Sequence, residues 1–493
     1  MKNNQPVSEG KQTIYLAAGK IIALMANFVI PLFLTRVLAK EEYGFYSQFN
    51  TVLFFLVSFF SFTMSTNLYY FFPTVETSKK KIIVFQTILF LIIFSLLSAF
   101  FIYLPYINDF ILGNESLKKY RLIIYLLTII LIFTSIIQPL YVVKRDINIS
   151  LWFPTLQIVL KAVLIIVFFI FIPDINSVIN AIIVSAILVM LIVFRYVKKT
   201  INEFPGERLI NKKIAISQLR YNLPIGLALS IKSFSQRFDK LISISFLSVS
   251  SYASYSIAFF GIPGIRQIYQ SIADVTVVSM TKSFNIGDKS EVLSLYKRMV
   301  IKNLSFSIPV IMIVALNARQ IINFLFTNKY TDATILFQMY LISIVFVMLG
   351  EGLIVRASGE TKIYARVFIF TAPIIVPTTY FLVKYFGSIG AMCGALLSII
   401  LPRIFLIGKE IKIIESNLKN FFPWRKIGLI FLISSLSLIP FVFIKQIISD
   451  NFLIIIVMSI FYLLLVYQLE LKLNIFIIDK KKILVLRKRY LKF

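Results

Sequence analysis

The chain has 493 residues, is 59% hydrophobic and only 15% charged, and has a mean hydropathy of +0.88. A soluble chain carries about a quarter charged residues, so this composition excludes a soluble globular protein. The formal charge of +29 arises from 51 Lys plus Arg against 22 Asp plus Glu. The basic residues lie between apolar runs, which points to the positive-inside rule and away from nucleic acid. The lack of histidine and the single Cys393 exclude Ser/His/Asp triads, His-based zinc sites and internal disulfides. No metal and no cofactor is expected.

Apolar runs of about 18 or more residues recur along the chain, and each can cross a ~30 Å hydrocarbon core as a helix. The alternating polarity of a membrane barrel is absent. The fold class predicted is all-α and polytopic, with about fourteen transmembrane helices. In chain order the spans fall at 13–38, 43–72, 82–107, 119–143, 149–172, 177–197, 215–240, 251–282, 291–318, 333–357, 363–386, 388–409, 423–445 and 452–471. The first run follows a polar stretch, is too long for a signal peptide and lacks a small-residue cleavage site, so it reads as a retained helix. The seventh span is the weakest, because Lys232, Arg237, Asp239 and Lys240 interrupt it.

The loops support the count. Alternate loops carry Lys79–Lys80–Lys81, Lys144–Arg145, Lys198–Lys199 with Lys212–Lys213, Lys297–Arg298, Arg356 with Lys362, and Lys409 to Lys426. The loops between them are poor in Lys and Arg. A missed helix would flip every later loop and destroy the contrast, so both termini are expected on the cytoplasmic side of the membrane.

The longest inner connection divides the chain. Residues 1–200 form an expected six-helix lobe, 201–220 a linker, and 221–410 a second six-helix lobe. Two further helices occupy 411–471, and 472–493 is a basic tail that either lies on the anionic leaflet or stays solvated. The lobes look alike: Tyr43-Gly44-Phe45-Tyr46-Ser47 opens the second span and Tyr252-Ala253-Ser254-Tyr255-Ser256 the eighth. Both repeats start inside, so they are parallel repeats about an axis normal to the membrane.

Charges inside spans are costly and mark candidate sites. Arg266, Gln270 and Asp274 recur every four residues and share one helix face. They line either a water-filled cavity or a neutralised packing site in which Asp239 or Asp274 balances Arg266. Lys232 is the deepest cation of the seventh span, whereas Arg237, Asp239 and Lys240 are close enough to an end to snorkel. Lys161 lies near mid-span with Gln157 one turn earlier. Lys20 and Asn27 share a face of the first span, with Lys20 either a cavity residue or an interfacial anchor. Arg36 lies near a helix end. Glu351 and Arg356 read equally as a local ion pair or as functional groups. The first six spans hold no Asp or Glu, so Asp239, Asp274 and Glu351 are the carboxylates available for ion coupling. A cavity fed by Lys161, Lys232 and Arg266 is net positive and suits a phosphate or pyrophosphate.

Several segments resemble the polysaccharide and oligosaccharide-lipid flippases of the multidrug/oligosaccharidyl-lipid/polysaccharide exporter superfamily. These are Leu34-Thr35-Arg36-Val37-Leu38-Ala39-Lys40-Glu41-Glu42-Tyr43-Gly44-Phe45-Tyr46, then Tyr221-Asn222-Leu223-Pro224 with Phe238-Asp239-Lys240 and Tyr255-Ser256-Ile257-Ala258. A third is Ala357-Ser358-Gly359-Glu360-Thr361-Lys362, followed by Gly387-Ser388-Ile389-Gly390-Ala391-Met392. The resemblance spans about the first 410 residues, on short and partly structural motifs. It implies two six-helix lobes around a central cavity, membrane lipids as surroundings and a lipid-linked oligosaccharide as cargo. A polysaccharide polymerase and glycosyltransferases are implied as further partners. Peptidoglycan-precursor flippases of the superfamily carry several arginines in and near the first helix. Lys20 and Asn27 stand there instead, which favours the O-antigen, capsule or exopolysaccharide type. The drug-exporting branch commonly uses an acid in the first lobe, and the first six spans here hold none.

The expected mechanism is alternating access, with Arg266 on the pyrophosphate, Lys232 and Lys161 adding positive potential, and Asn27, Gln157 and Gln270 on sugar hydroxyls. A cation-coupled small-molecule or multidrug exporter of the same superfamily is the alternative. A membrane-bound glycosyltransferase is the enzymatic rival. It is disfavoured because no outer loop is long enough to carry catalytic carboxylates and the long inner loop has few acids. No Walker-type phosphate loop is present, and the chain is not expected to be an enzyme.

Overall fold

A computed structural model of the chain describes residues 27–205, 209–262, 264–447 and 452–475. Among the described residues the secondary structure is entirely helical. Among these residues nine helices are long and apolar enough to cross a membrane, or ten if the bent pair Lys40–Phe60 and Met64–Thr74 forms one span. The chain is therefore a multi-pass membrane protein. Lys20 and the tail beyond residue 475 lie outside the described residues. Of the first expected span, 13–38, the part described is the short apolar helix Asn27–Val37.

Helices start where a polar side chain satisfies first-turn amides that have no partner within the helix. Asp174 accepts from the Ser177 N–H at 2.7 Å, and Asn211 accepts from the Lys213 N–H at 3.0 Å. Asp288, in the loop before Lys289–Leu316, accepts from the Glu291 N–H at 2.9 Å, which holds its carboxyl below the usual aspartate range. These caps sit at polar ends of the apolar runs, where a charged group meets water.

The chain forms two compact units. One comprises Met1–Ile257, Leu325–Tyr330 and Phe368–Ser398, and the other Ala258–Phe324, Thr331–Val367 and Ile399–Phe493. In the first unit, Lys40–Phe60 and Met64–Thr74 meet at 47°. The break is at Phe62 and Thr63, whose φ values of 42° and 51° are left-handed. A broken helix frees carbonyls that lipid cannot satisfy, and the Lys212–Phe246 helix supplies the donors. Ser230 Oγ donates to the Phe59 carbonyl at 2.9 Å and Asn222 Nδ2 to the Thr63 carbonyl at 3.2 Å. Gly226 lies between them, so close that a Cβ there would stand 2.4 Å from the Phe62 oxygen. A hydroxyl, an amide and a bare backbone on one face of this helix thus serve the break in the other. The helix covers 212–246, beyond the predicted 215–240, because the flanking lysines are compatible with a helix though not with hydrocarbon.

The helix assigned to Thr361–Ile414 is two helices. Gly387 has φ 55° and ψ −130°, a conformation that only glycine adopts without strain. A straight helix would hold residues 379 and 394 roughly 22 Å apart, yet a Cβ on Gly394 would lie 2.4 Å from the Thr379 side chain. The chain therefore doubles back at Gly387, matching the predicted spans 363–386 and 388–409. The small faces of Gly390 and Gly394 let the two backbones approach, as in other membrane helix pairs.

The predicted eighth span, 251–282, is broken instead of continuous. Val249–Ala258 ends, Gly261 and Gly264 take φ values of 70° and 85°, and a new helix runs from Ile265 to Asn285. In the second unit, Ala333–Met348 likewise gives way to Leu353–Ala357 across Gly350 (φ 92°) and Gly352 (φ 62°). The last two predicted spans are Trp424–Ile447 and Phe452–Lys472, tied together by Tyr462, whose hydroxyl donates to the Ser434 carbonyl at 3.0 Å. Length and hydropathy alone leave the count of fourteen unconfirmed, since 212–246 and 265–285 are too polar to qualify as spans.

Candidate functional site

In the first unit, Gln157 and Lys161 lie one turn apart on Ile147–Phe171, both half-buried. Lys161 makes no hydrogen bond or ion pair among the described residues. Lys232 sits on Lys212–Phe246 with its ammonium 4.4 Å from the centre of the Phe368 ring, a cation–π contact. Asp239, on the same helix, is buried and accepts a short hydrogen bond from the Tyr255 hydroxyl. Tyr255 is itself fully buried. Asn27 is exposed at the start of Asn27–Val37. Arg36 is engaged in structure: its Nη1 donates to the Leu32 and Leu325 carbonyls, each at 2.8 Å.

In the second unit, Arg266 stands in the first turn of Ile265–Asn285, one place after the break. The cap residue is Gly264, and no side chain caps this terminus. A helix start carries roughly half a positive charge, so the guanidinium and the dipole reinforce each other. Arg266 is exposed, and no ion pair joins it among the described residues. Gln270 is exposed one turn on. Asp274, a further turn along, lies 4.0 Å from Arg356 and so does not neutralise Arg266.

The expected local pair of Glu351 with Arg356 is corrected by the structure. Glu351 faces Arg403, with Oε2 3.6 Å from Nη2, and its Oε1 accepts from the Tyr364 hydroxyl at 2.7 Å. Arg356 turns to Asp274 because the glycine-flanked break at Glu351 places the two side chains on separate segments. Arg403 is 5% exposed. It also acts electrostatically on Glu410, whose carboxylate accepts from the Ile354 N–H at 2.8 Å and so caps the short Leu353–Ala357 helix. Tyr269 lies within the field of Arg403, Glu351 and Arg356. The break is thus held by Glu351, Arg403 and Tyr364, with Glu410 capping the segment that follows it.

Arg403, Tyr364 and Glu410 escaped the sequence reading. Arg403 had the same signal as Arg266, an arginine inside an apolar run. Glu410 follows it by two helical turns on one face. The polar groups thus gather into two sets, one in each unit. Asp239, Tyr255 and Lys161 belong to the first. Arg266, Gln270 and the Glu351–Arg403 network belong to the second.

The fold is that of an all-helical, multi-pass membrane protein. The chain is similar to a solved structure titled Lipid II flippase MurJ, inward closed conformation, with a TM-score of 0.70 at 18% identity, covering 95% of this chain and 100% of that one. It is similar to an inward-facing multidrug resistance MATE family transporter, with a TM-score of 0.62 at 15% identity over 82% of this chain and 98% of that one. A third similar structure is a superfamily transporter from Pyrococcus furiosus, whose title describes a reversed polarity of its binding pocket. Its TM-score is 0.56 at 14% identity, over 82% of this chain and 95% of that one. No curated protein matches in sequence. A family model described as Polysaccharide biosynthesis protein matches residues 10–278, more than half of the chain, and the chain belongs to that family.

Proposed function

We propose that the chain is a flippase that carries undecaprenyl-pyrophosphate-linked oligosaccharide across the bacterial cytoplasmic membrane for cell-surface polysaccharide synthesis. Membership of the polysaccharide biosynthesis family supports the pathway. The fold it shares with a lipid II flippase supports the reaction class. The observation that carries the cargo chemistry is Arg266, a guanidinium with no acid partner among the described residues, at a helix start that no side chain caps. Half-helix starts in discontinuous membrane helices are suited to anionic substrate groups.

In this reading Arg266 takes the pyrophosphate and Lys161 and Lys232 add positive potential. Asn27, Gln157, Gln270 and Lys20 contact the sugar or its approach. The lobes 1–200 and 221–410 alternate in access, with both termini cytoplasmic. Polymerase and glycosyltransferases act on either side of the step. Outward movement of an anion runs with an inside-negative potential, at about 2.3 kcal/mol per charge per 100 mV. The test is appearance of labelled glycolipid in the outer leaflet of proteoliposomes. A charge-assisted hydrogen bond contributes about 1.5–3 kcal/mol, so Arg266→Ala lowers the rate roughly ten- to hundredfold if binding limits it. Full activity in the Arg266→Ala, Lys161→Ala double variant removes the site.

A second reading is a cation-coupled small-molecule exporter. The buried Asp239 beside Tyr255 favours it, as do Glu351 and Asp274, because membrane carboxylates are suited to carrying coupling ions. Efflux of drugs with unchanged surface glycan would select that reading.

A further inference from the structure

A cleft of about 390 Å³ opens in the first unit between Ile147–Phe171 and Ile175–Glu203, at the lysine-rich end of the second helix. Its apolar wall includes Ile149, Trp152 and Ile192, and its polar rim Arg195 and Lys199. The two cations are four residues apart, on one helix face. Both are exposed, and neither forms a hydrogen bond or ion pair among the described residues. The acids nearby are already engaged. Glu203 is bound by Lys144, while Asp146 caps its own helix and accepts from the Tyr196 hydroxyl at 3.2 Å. Trp152 is 41% exposed, in the manner of an aromatic side chain placed at a membrane interface.

An apolar slot capped by two uncompensated cations is complementary to one molecule class in a bilayer: an acyl chain ending in a phosphate with net negative charge. We propose that this cleft binds an anionic membrane phospholipid, its phosphate held by Arg195 and Lys199 and its acyl chain lying against Trp152, Ile149 and Ile192. None of the proposed cargo groups lines the cleft, and the proposal does not rest on the transport reading. Basic pockets between membrane helices bind lipid headgroups by this same chemistry. A zwitterionic lipid offers the same phosphate but carries its own ammonium, so it gains less from the two cations.

The chain has two tryptophans, so Trp424→Phe leaves Trp152 as the sole reporter in the full-length protein. Phosphatidylglycerol with brominated chains is titrated into detergent micelles of this variant, beside phosphatidylcholine with the same chains. We expect quenching of Trp152 by phosphatidylglycerol at roughly ten- to thirtyfold lower mole fraction, from two cations near the surface. Adding Arg195→Gln and Lys199→Gln removes that preference while quenching at high lipid persists. Raising salt on the unsubstituted rim weakens the preference in the same direction, which keeps the test valid if the double variant folds poorly. Equal quenching by the two lipids, or a preference that survives both the substitutions and salt, overturns the assignment. So does competition by polyprenyl phosphate at concentrations where phosphatidylglycerol has no effect.

Discussion

Replacing Arg403 with methionine removes the cation that faces the break in Ala333–Ala357 and leaves Glu351 the hydrogen bond from Tyr364. Breaking a buried ion pair from one side costs about 3–5 kcal/mol. Glu351 is one quarter exposed (26%), and the 2.7 Å bond from Tyr364 persists. The expected loss is therefore reduced to about 2–3 kcal/mol. Arg403 also leaves its own Nε buried without an acceptor, so the guanidinium is incompletely satisfied where it stands. Removing both charges, Arg403→Met with Glu351→Gln, should then cost less than Arg403→Met alone. The glutamine can still accept from Tyr364, and position 351 no longer carries a charge that has lost its cation. A coupling of about 2 kcal/mol follows from the double-mutant cycle. The assay is thermal unfolding of the purified protein in one detergent at one concentration, comparing the four species. If the double variant is as unstable as the sum of the two single variants, Arg403 and Glu351 do not compensate each other and the network argument fails.

Two further outcomes are expected. Gly226→Ala places a methyl 2.4 Å from the Phe62 oxygen, about 1 Å inside ordinary contact. The Lys212–Phe246 helix must then shift and loosen the Ser230 and Asn222 bonds, for a loss of roughly 2–4 kcal/mol; the control Gly428→Ala, where nothing lies within 4 Å, should melt with the parent. In the loop regions, Lys289 lies 2.6 Å from Glu415 and holds its carboxyl below the usual glutamate range. That contribution is present above the ordinary glutamate value and disappears as pH falls through the lowered one. Carbon-13 titration of the Glu415 carboxyl should therefore move upward in Lys289→Ala, and an unchanged titration would show the contact to be absent in solution.

Much of the helical plan could be read without coordinates, because hydrocarbon leaves a backbone few options. A long apolar run must satisfy its own amides, and it does so as a helix. That is why 82–107, 149–172 and 177–197 correspond to helices Thr77–Tyr103, Ile147–Phe171 and Ile175–Glu203. The turn at Gly387 was legible for a related reason: glycine between two apolar runs marks where the chain can reverse. The break at 62–63 was not legible, since the donors that tolerate it, Ser230 and Asn222 on a helix far along the chain, are supplied by tertiary packing.

The charged groups divide in the same way. Composition and spacing singled out Arg266, Lys161, Asp239 and Glu351, because ionisable residues are rare in apolar runs. Only the folded chain decided that Glu351 faces Arg403, that Asp274 faces Arg356, and that Asp239 meets Tyr255. Hydrophobicity is a property of each segment alone and is written locally. Pairing depends on which distant side chains packing brings within a few ångströms, and no local pattern encodes that distance.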